Sequence, residues 1–342
     1  MWKNYFKIAI RNLAKNKLHT GINMIGLTLG LGVCIIIFFF VQFEVSFDDF
    51  HEESSQVFRI ERHQVEEGVD NYSFSTPIIA APTFAEEFSQ VSHTTRLIGG
   101  AAQAYLDEEA TQNQSYLMVS PAFLEIFSFK LLQGAKEQVL QDKFSVVITE
   151  EVSKKYFGDA NPIGKSLRMR MGDNYEEYKV AGLLEDLPAN SSIQFEVLMN
   201  DQNLDFSVDE DSQNSWFNVY GDTYVKLNEG QSKESVEAGV EGMMKKMLGE
   251  DYKAGEYFFT LQPLAEMHLT DNPNTGMIES TRPTLLWILA GIAFLILLIA
   301  CINFTTMAIG RSTTRAKEVG VRKTMGADFG QLVFQFLTEA FL

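Results

Sequence analysis

Hydrophobic positions along this 342-residue chain fall into three patterns. Two apolar runs carry no charge at all: Gly21 to Phe43 (GINMIGLTLGLGVCIIIFFFVQF, 23 residues) and Pro283 to Gly310 (PTLLWILAGIAFLILLIACINFTTMAIG, 28 residues). About 20 apolar residues cross a bilayer as a helix, so each run predicts a transmembrane helix. Between them the periods are mixed, which predicts an α+β domain. Val57 to His63 alternates as a strand and Ser145 to Ile148 reads as a buried one. Leu167–Met171 and Tyr178–Leu184 read as a hairpin around Gly172-Asp173-Asn174, and Tyr257–Leu261 as a late strand. Helix signals stand at Thr76-Pro77, running toward Phe88, and at Thr149, capping Glu150 to Phe157 before Gly158. Ser232 opens a longer helix with an apolar stripe of Val236, Val240, Met243, Met247 and Leu248. Asp201 to Ser215 is polar and reads as a surface loop. The third pattern is N-terminal: Trp2, Phe6, Ile10 and Leu13 recur at helical spacing while Lys3, Asn4, Lys7 and Lys15 face elsewhere. That predicts an N-terminal amphipathic helix lying on the inner leaflet.

Charge sharpens this division. The whole chain has 28 basic and 45 acidic residues, a net charge of −17, but residues 46–282 alone hold 18 bases and 41 acids. Residues 1–20 carry five bases and no acid, and residues 311–342 carry five bases and three acids. Basic flanks on the outer ends of both apolar runs orient the N-terminus and the C-terminal segment inside, with the acidic middle outside. A general nucleic-acid binder is excluded, because nothing would offset phosphate repulsion. A cleaved signal peptide fits the first run poorly: its core is too long, and Glu44-Val45-Ser46-Phe47 offers no small-x-small site. Both cysteines, Cys34 and Cys301, lie inside the apolar runs, so the domain between them holds without disulfides.

The acidic domain yields no catalytic pattern. Gly158-Asp-Ala-Asn-Pro-Ile-Gly164-Lys165-Ser166 has five residues between its first glycine and Gly164-Lys165, where a phosphate loop needs four, and Pro162 has no amide to donate. It reads as a turn into a strand. Asp205, Asp209 and Asp211 open like a calcium loop, but Glu210 and Trp216 stand where Gly and Glu are required. His51, His63, His93 and His268 stand singly, without metal-ligand spacing. Asp48, Asp49, Glu52 and Glu53, just past the first run, read as a solvated flank. No cofactor or metal is expected.

At the membrane segments, Gly26 and Gly30 sit four apart, a spacing that lets a neighbouring helix approach closely. Asn303, Thr305 and Thr306 suggest bonding to further helices. After them comes a basic, helix-favouring stretch, Arg311 to Ala327, and then a new apolar run, Leu332 to Leu342. On composition alone, residues 311–327 read as a positive-inside flank.

The chain also resembles the permease subunits of the MacB/FtsX family of ABC transporters, in the variety common in Bacteroidota. The resemblance rests on Asn4 to Leu13, Phe47-Asp-Asp-Phe-His51 with Val57 to Ile60, and Lys155-Tyr-Phe-Gly158 with Asn161 to Lys165. It continues through Val180 to Pro188 with Asn190-Ser-Ser192, and ends in Leu298 to Asn303 followed by Arg315 to Lys323 and Gly326-Ala327. These segments run in the family's order over nearly the whole chain. The resemblance implies a cytosolic amphipathic helix (1–20), a first span (21–45) and an external α+β core domain of two lobes (46–282). It further implies a second span (283–310), a cytosolic coupling segment (311–327) and the start of a third span (328–342). It also implies a non-catalytic membrane subunit, embedded in membrane lipid, that pairs as a homodimer or pseudo-dimer. A cytosolic ABC ATPase subunit would grip the coupling segment at Arg315, Lys317, Glu318, Gly320, Arg322 and Lys323. Members of this family export or extract substrates outside the inner membrane by a mechanical relay, and have at least four membrane helices, so this chain reads as an N-terminal half. The rival architecture is a two-span sensory receptor with an external ligand-binding domain. A receptor continues inside with a heptad-bearing helical module, whereas this chain turns apolar again. A membrane-anchored exported enzyme is the third, and the failed motif search weighs against it.

Overall fold

The computed structural model describes residues 17–106, 109–171, 174–206, 208–271 and 280–324, with residues 326, 330 and 333. The amphipathic helix expected over 1–20 lies almost wholly outside the described residues, as does most of the third span expected over 328–342. The chain divides into two compact units: residues 43–283, and the two flanking segments 1–42 and 284–342.

The first described element is helix α1, Lys17–Val45. The central domain then builds one twelve-stranded sheet. Its elements in chain order are β1 (Val57–Glu66), β2 (Val69–Ser73), β3 (Ser75–Pro77), α2 (Ala80–Glu87), β4 (Val91–Leu106) and β5 (Glu109–Val119). Next come α3 (Phe123–Ile126), β6 (Leu131–Gln133), β7 (Ser145–Thr149), α4 (Glu150–Phe157), β8 (Ser166–Met171) and β9 (Asn174–Leu184). The series closes with β10 (Val197–Asn200), α5 (Glu210–Gln213), β11 (Val219–Leu227), α6 (Lys233–Leu248) and β12 (Tyr257–Pro263). The main strand order is β12-β1-β11-β4-β5-β10-β7-β9-β6, with β2 on β1, β3 on β11, and β8 bridging β4 and β9. Among the described strands, β5–β10 and β7–β9 pair in parallel and the others antiparallel.

Helices back this sheet at two places, giving two α+β lobes. At one, Phe84 and Phe88 from the α2 side and Val236, Val240, Met243 and Met244 of α6 pack on Phe58, Ile60, Phe259 and Leu261. The ring of Phe88 reaches Gly239, where a Cβ would stand only 2.7 Å from it, so α6 needs a glycine there. At the other, Val152 and Tyr156 of α4 pack on Val146, Ile148 and Val180. A third cluster, rich in aromatic rings, gathers Phe123, Phe127, Phe129, Phe195 and Tyr224. Local signals set α4 as the sequence predicts: Thr149 Oγ1 accepts from Val152 N, and Gly158 ends the helix at φ 58°.

Two local expectations are corrected. Thr76-Pro77 does not open a helix; it forms β3, paired with β11, and α2 starts at Ala80. Thr76 Oγ1 donates to Gly221 O (3.0 Å), so pairing across 145 residues overrides the capping signal. Residues 201–215 are also not simply a surface loop. Asn203 is fully buried: its Nδ2 donates to Lys143 O (2.7 Å) and its Oδ1 accepts from Tyr178 (3.0 Å). Asp201, also buried, accepts from Arg96 Nε at 3.0 Å.

The last element, α7, runs unbroken from Pro283 to Thr324, 42 residues. Within the second unit α7 packs on α1 in antiparallel register. A Cβ on Gly26 would lie 3.4 Å from Asn303 Nδ2, and one on Gly30 would lie 3.4 Å from the Ala300 methyl. Cys34 Sγ donates to Ala293 O (3.3 Å). The remaining faces display large apolar side chains such as Ile36, Phe39, Trp287 and Ile299 to the surroundings. An exposed apolar surface of this extent is the mark of an interaction surface rather than of a water-facing one. Thr305 Oγ1 and Thr306 Oγ1 donate to Cys301 O and Ile302 O of their own helix.

Candidate functional site

Residues 44–51, at the start of the central unit, are held by a set of specific contacts within it. Glu44 Oε2 meets His268 Nε2 at 2.8 Å with both side chains buried, and the His268 ring stacks on Phe47 at 3.4 Å. His268 O accepts from Thr281 N (2.8 Å), two residues before α7 begins. Asn190 Nδ2 donates to Ser46 O (2.7 Å) and Ser46 Oγ (3.1 Å). Asp48 N donates to Asn190 O (2.9 Å), and Ser192 N donates to Asp48 Oδ1 (2.8 Å).

Asp48 is therefore not part of a solvated acidic flank; it is 2% exposed and takes a left-handed φ of 61°. Burial raises its carboxyl above the usual range, against the hydrogen bonds from Ser192. His51 is buried beside it, its Nδ1 accepting from Ser128 N at 3.1 Å. Burial pushes its pKa down to about 4, so the ring is neutral at pH 7. Its Nε2 lies 4.0 Å from Asp48 Oδ1, beyond hydrogen-bond reach. Deeper in the domain, Arg59 is fully buried, pairing with Asp222 (3.3 Å) and Gln262 (2.8 Å) and lying over the Phe74 ring at 3.5 Å. His63 faces Asp70 (2.8 Å) and Thr260 (2.9 Å). Burial works to lower its pKa, but the bonds to Glu61 and Asp70 carry it above the ordinary value.

None of this is a catalytic constellation. Among the described residues no group of three His, Cys, Asp or Glu side chains is placed to hold a metal. Residues 158–165 form a turn into β8, with Lys165 N donating to Pro162 O at 3.0 Å. Asp209 caps α5 by accepting from Ser212 N at 2.8 Å.

The residues expected to couple to a partner all lie on the helical backbone of α7. Gly320 and Lys323 are exposed, and a Cβ on Gly320 would meet nothing within 4 Å. The side chains of Arg315, Lys317, Glu318 and Arg322 lie outside the described part of the structure. Sequence reasoning missed the contacts around residues 44–51. Their one trace is that Phe47 to His51 and Asn190 to Ser192, singled out separately as family-like segments, meet here.

Two family profiles match the chain: the MacB-like periplasmic core domain over residues 20–243 and the FtsX-like permease C-terminal region over residues 290–342. The chain belongs to the MacB/FtsX family of ABC-transporter permeases. It is 24% identical to the uncharacterized ABC transporter permease YvrN of Bacillus subtilis, over 98% of this chain and 82% of that one. It is 26% identical to the macrolide export ATP-binding/permease protein MacB of Neisseria gonorrhoeae, over 77% of this chain but only 38% of the relative's length. A crystallised domain from Porphyromonas gingivalis, described as belonging to a permease, superposes with a TM-score of 0.54 at 26% identity, covering 70% of this chain and 98% of that domain. Membership of the MacB/FtsX family implies an inner-membrane protein with a periplasmic domain. Two helical stretches, Met24–Val45 and Pro283–Thr306, are long and apolar enough to cross that membrane. Permease components of this family work with ABC ATPases and are generally non-catalytic themselves.

Proposed function

We propose that this chain relays the motion of a cytosolic ABC ATPase to a periplasmic domain, for export or extraction of a substrate on the outer side of the inner membrane. In this reading residues 1–20 and 311–327 are cytosolic, residues 46–282 are periplasmic, and the apolar faces of α1 and α7 meet lipid and a second copy of the chain. The ATPase grips α7 at Arg315, Lys317, Glu318, Gly320, Arg322 and Lys323. The observation that carries the proposal is the continuity of α7. Its apolar span and its basic end form a single helix of 42 residues, about 63 Å at 1.5 Å per residue. A helix without a break passes a push at one end to the other, whereas a flexible linker would absorb it.

The test uses the complete protein with Gly320→Glu and Arg322→Glu. Open space at Gly320 means the first substitution leaves the helix itself undisturbed. Co-purification of the ATPase is expected to fall together with stimulation of its turnover. Undiminished association and turnover in both variants would remove the coupling assignment.

A further inference from the structure

Three buried polar atoms in the central unit find no hydrogen-bond partner among the described residues: Asp48 Oδ2, His51 Nε2 and Ser192 Oγ. Their residues are 2%, 3% and 8% exposed, so bulk solvent does not reach them. They also sit together. Ser192 N donates to Asp48 Oδ1 at 2.8 Å, and His51 Nε2 lies 4.0 Å from that same oxygen. Buried polar atoms are nearly always satisfied, so three orphans in one place call for a ligand.

The proton on His51 says what kind. Its Nδ1 accepts from Ser128 N (3.1 Å), so that nitrogen carries no proton. An imidazolium has two donors and no acceptor; the ring is therefore neutral, with its one proton on Nε2. Phe50, Phe127 and Phe129 surround the ring with centroids at 4.0, 5.3 and 5.1 Å and offer that donor no acceptor. Asp48 Oδ2 is an orphan acceptor facing it, and Ser192 Oγ can act either way. A metal ion is excluded, because a protonated Nε2 has no lone pair to give. A Ser-His-Asp nucleophile is excluded too. That chemistry divides the two ring nitrogens between the acid and the serine, and here Ser128 occupies Nδ1.

We infer that Asp48, His51 and Ser192 form a binding site for one ordered water molecule. The water accepts from His51 Nε2–H, donates to Asp48 Oδ2 and makes its third bond with Ser192 Oγ. Three bonds are typical of a buried water. A gap of 4.0 Å is too wide for a direct bond and narrow enough for one bridging oxygen. The water ties the left-handed turn at Asp48 (φ 61°) to His51 and to the β9–β10 connection at Ser192. It supplies at this point the polar group that no side chain provides.

The experiment is a structure of the complete protein at a resolution that shows ordered water, paired with nitrogen-15 NMR of its histidine rings. A water peak is expected within about 3.2 Å of both Asp48 Oδ2 and His51 Nε2. The His51 ring, assigned by its absence from His51→Gln, is expected to be neutral at pH 7 with its proton on Nε2. In His51→Phe the water peak is expected to be lost while the bond from Ser192 N to Asp48 stays. Three results would overturn the site: a direct bond between His51 Nε2 and Asp48, a protonated Asp48 bonded straight to Ser192 Oγ, or a proton on His51 Nδ1. A peak unchanged in His51→Phe would do the same, since the water would then be held without the ring. Should His51→Phe fail to fold, the wild-type density and the His51 tautomer still decide between these outcomes.

Discussion

The central domain and the α1–α7 pair are held together by different physics. In the domain, apolar burial is the driving force, and it is strong enough to carry a fully buried arginine so long as Asp222 and Gln262 meet it. In the helix pair the apolar side chains point outward, and contact depends on close approach at Gly26 and Gly30 and on a bond such as Cys34 to Ala293 O. Lipid is as apolar as leucine, so hiding leucine from it gains little, and small residues that admit a neighbouring backbone count for more. The domain therefore tolerates polar groups that are paired, and the helix pair tolerates bulk only away from its seam.

The largest break in that contrast is expected from Arg59→Met. It leaves the Asp222 carboxylate buried without its arginine, and the expected loss is about 3–5 kcal/mol. Urea unfolding followed by tryptophan fluorescence measures it, and a loss under about 1 kcal/mol would show that the pair is not desolvated in the way its burial indicates.

A smaller effect comes from pH. The folded-state pKa of His51, about 4, lies below the ordinary 6.5, so its contribution is full above about pH 6.5 and is lost as pH falls toward 4. Asp48 acts oppositely, because a raised carboxyl pKa favours the folded state as protons are taken up. His63 is also opposite in sign: its contribution is full below about 6.5 and is lost as pH rises through its raised value. The His51 part is expected to be about 2–3 kcal/mol between pH 6.5 and 4. Urea midpoints across that range should slope less in His51→Gln than in wild type, and equal slopes would refute the assignment.

The smallest is Gly30→Leu, whose side chain would meet Ala300 and Ile296. It is expected to weaken the α1–α7 contact by about 1–2 kcal/mol, read by cysteine cross-linking in vesicles, and to leave the domain's urea midpoint in place.

What could be read from the sequence was what is locally determined. Thr149, the helix after it and Gly158 form a self-contained signal, and the two apolar runs need no partner to be recognised. The failures share one cause. The burial of Arg59 has no local sign, because its partner Asp222 is 163 residues away. Asp48 looks like part of a solvated flank because nothing near it in sequence announces Ser192. Thr76-Pro77 carries a real capping signal that β11 overrules. The strands β4 and β5, 16 and 11 residues long and rich in Gly, Ala and Gln, show too little alternation to be seen in advance.

The placement of β1 between β11 and β12 also sets a schedule for the molecule's own making. The first strand of the domain to be synthesised pairs with the last, and Arg59 finds Gln262 across 203 residues. At about 5–20 residues per second, β1 waits roughly 10–40 s for its neighbours after it has been made. Throughout that interval an apolar strand edge is open to wrong partners, so the yield of folded protein depends on what shelters β1 until β12 arrives.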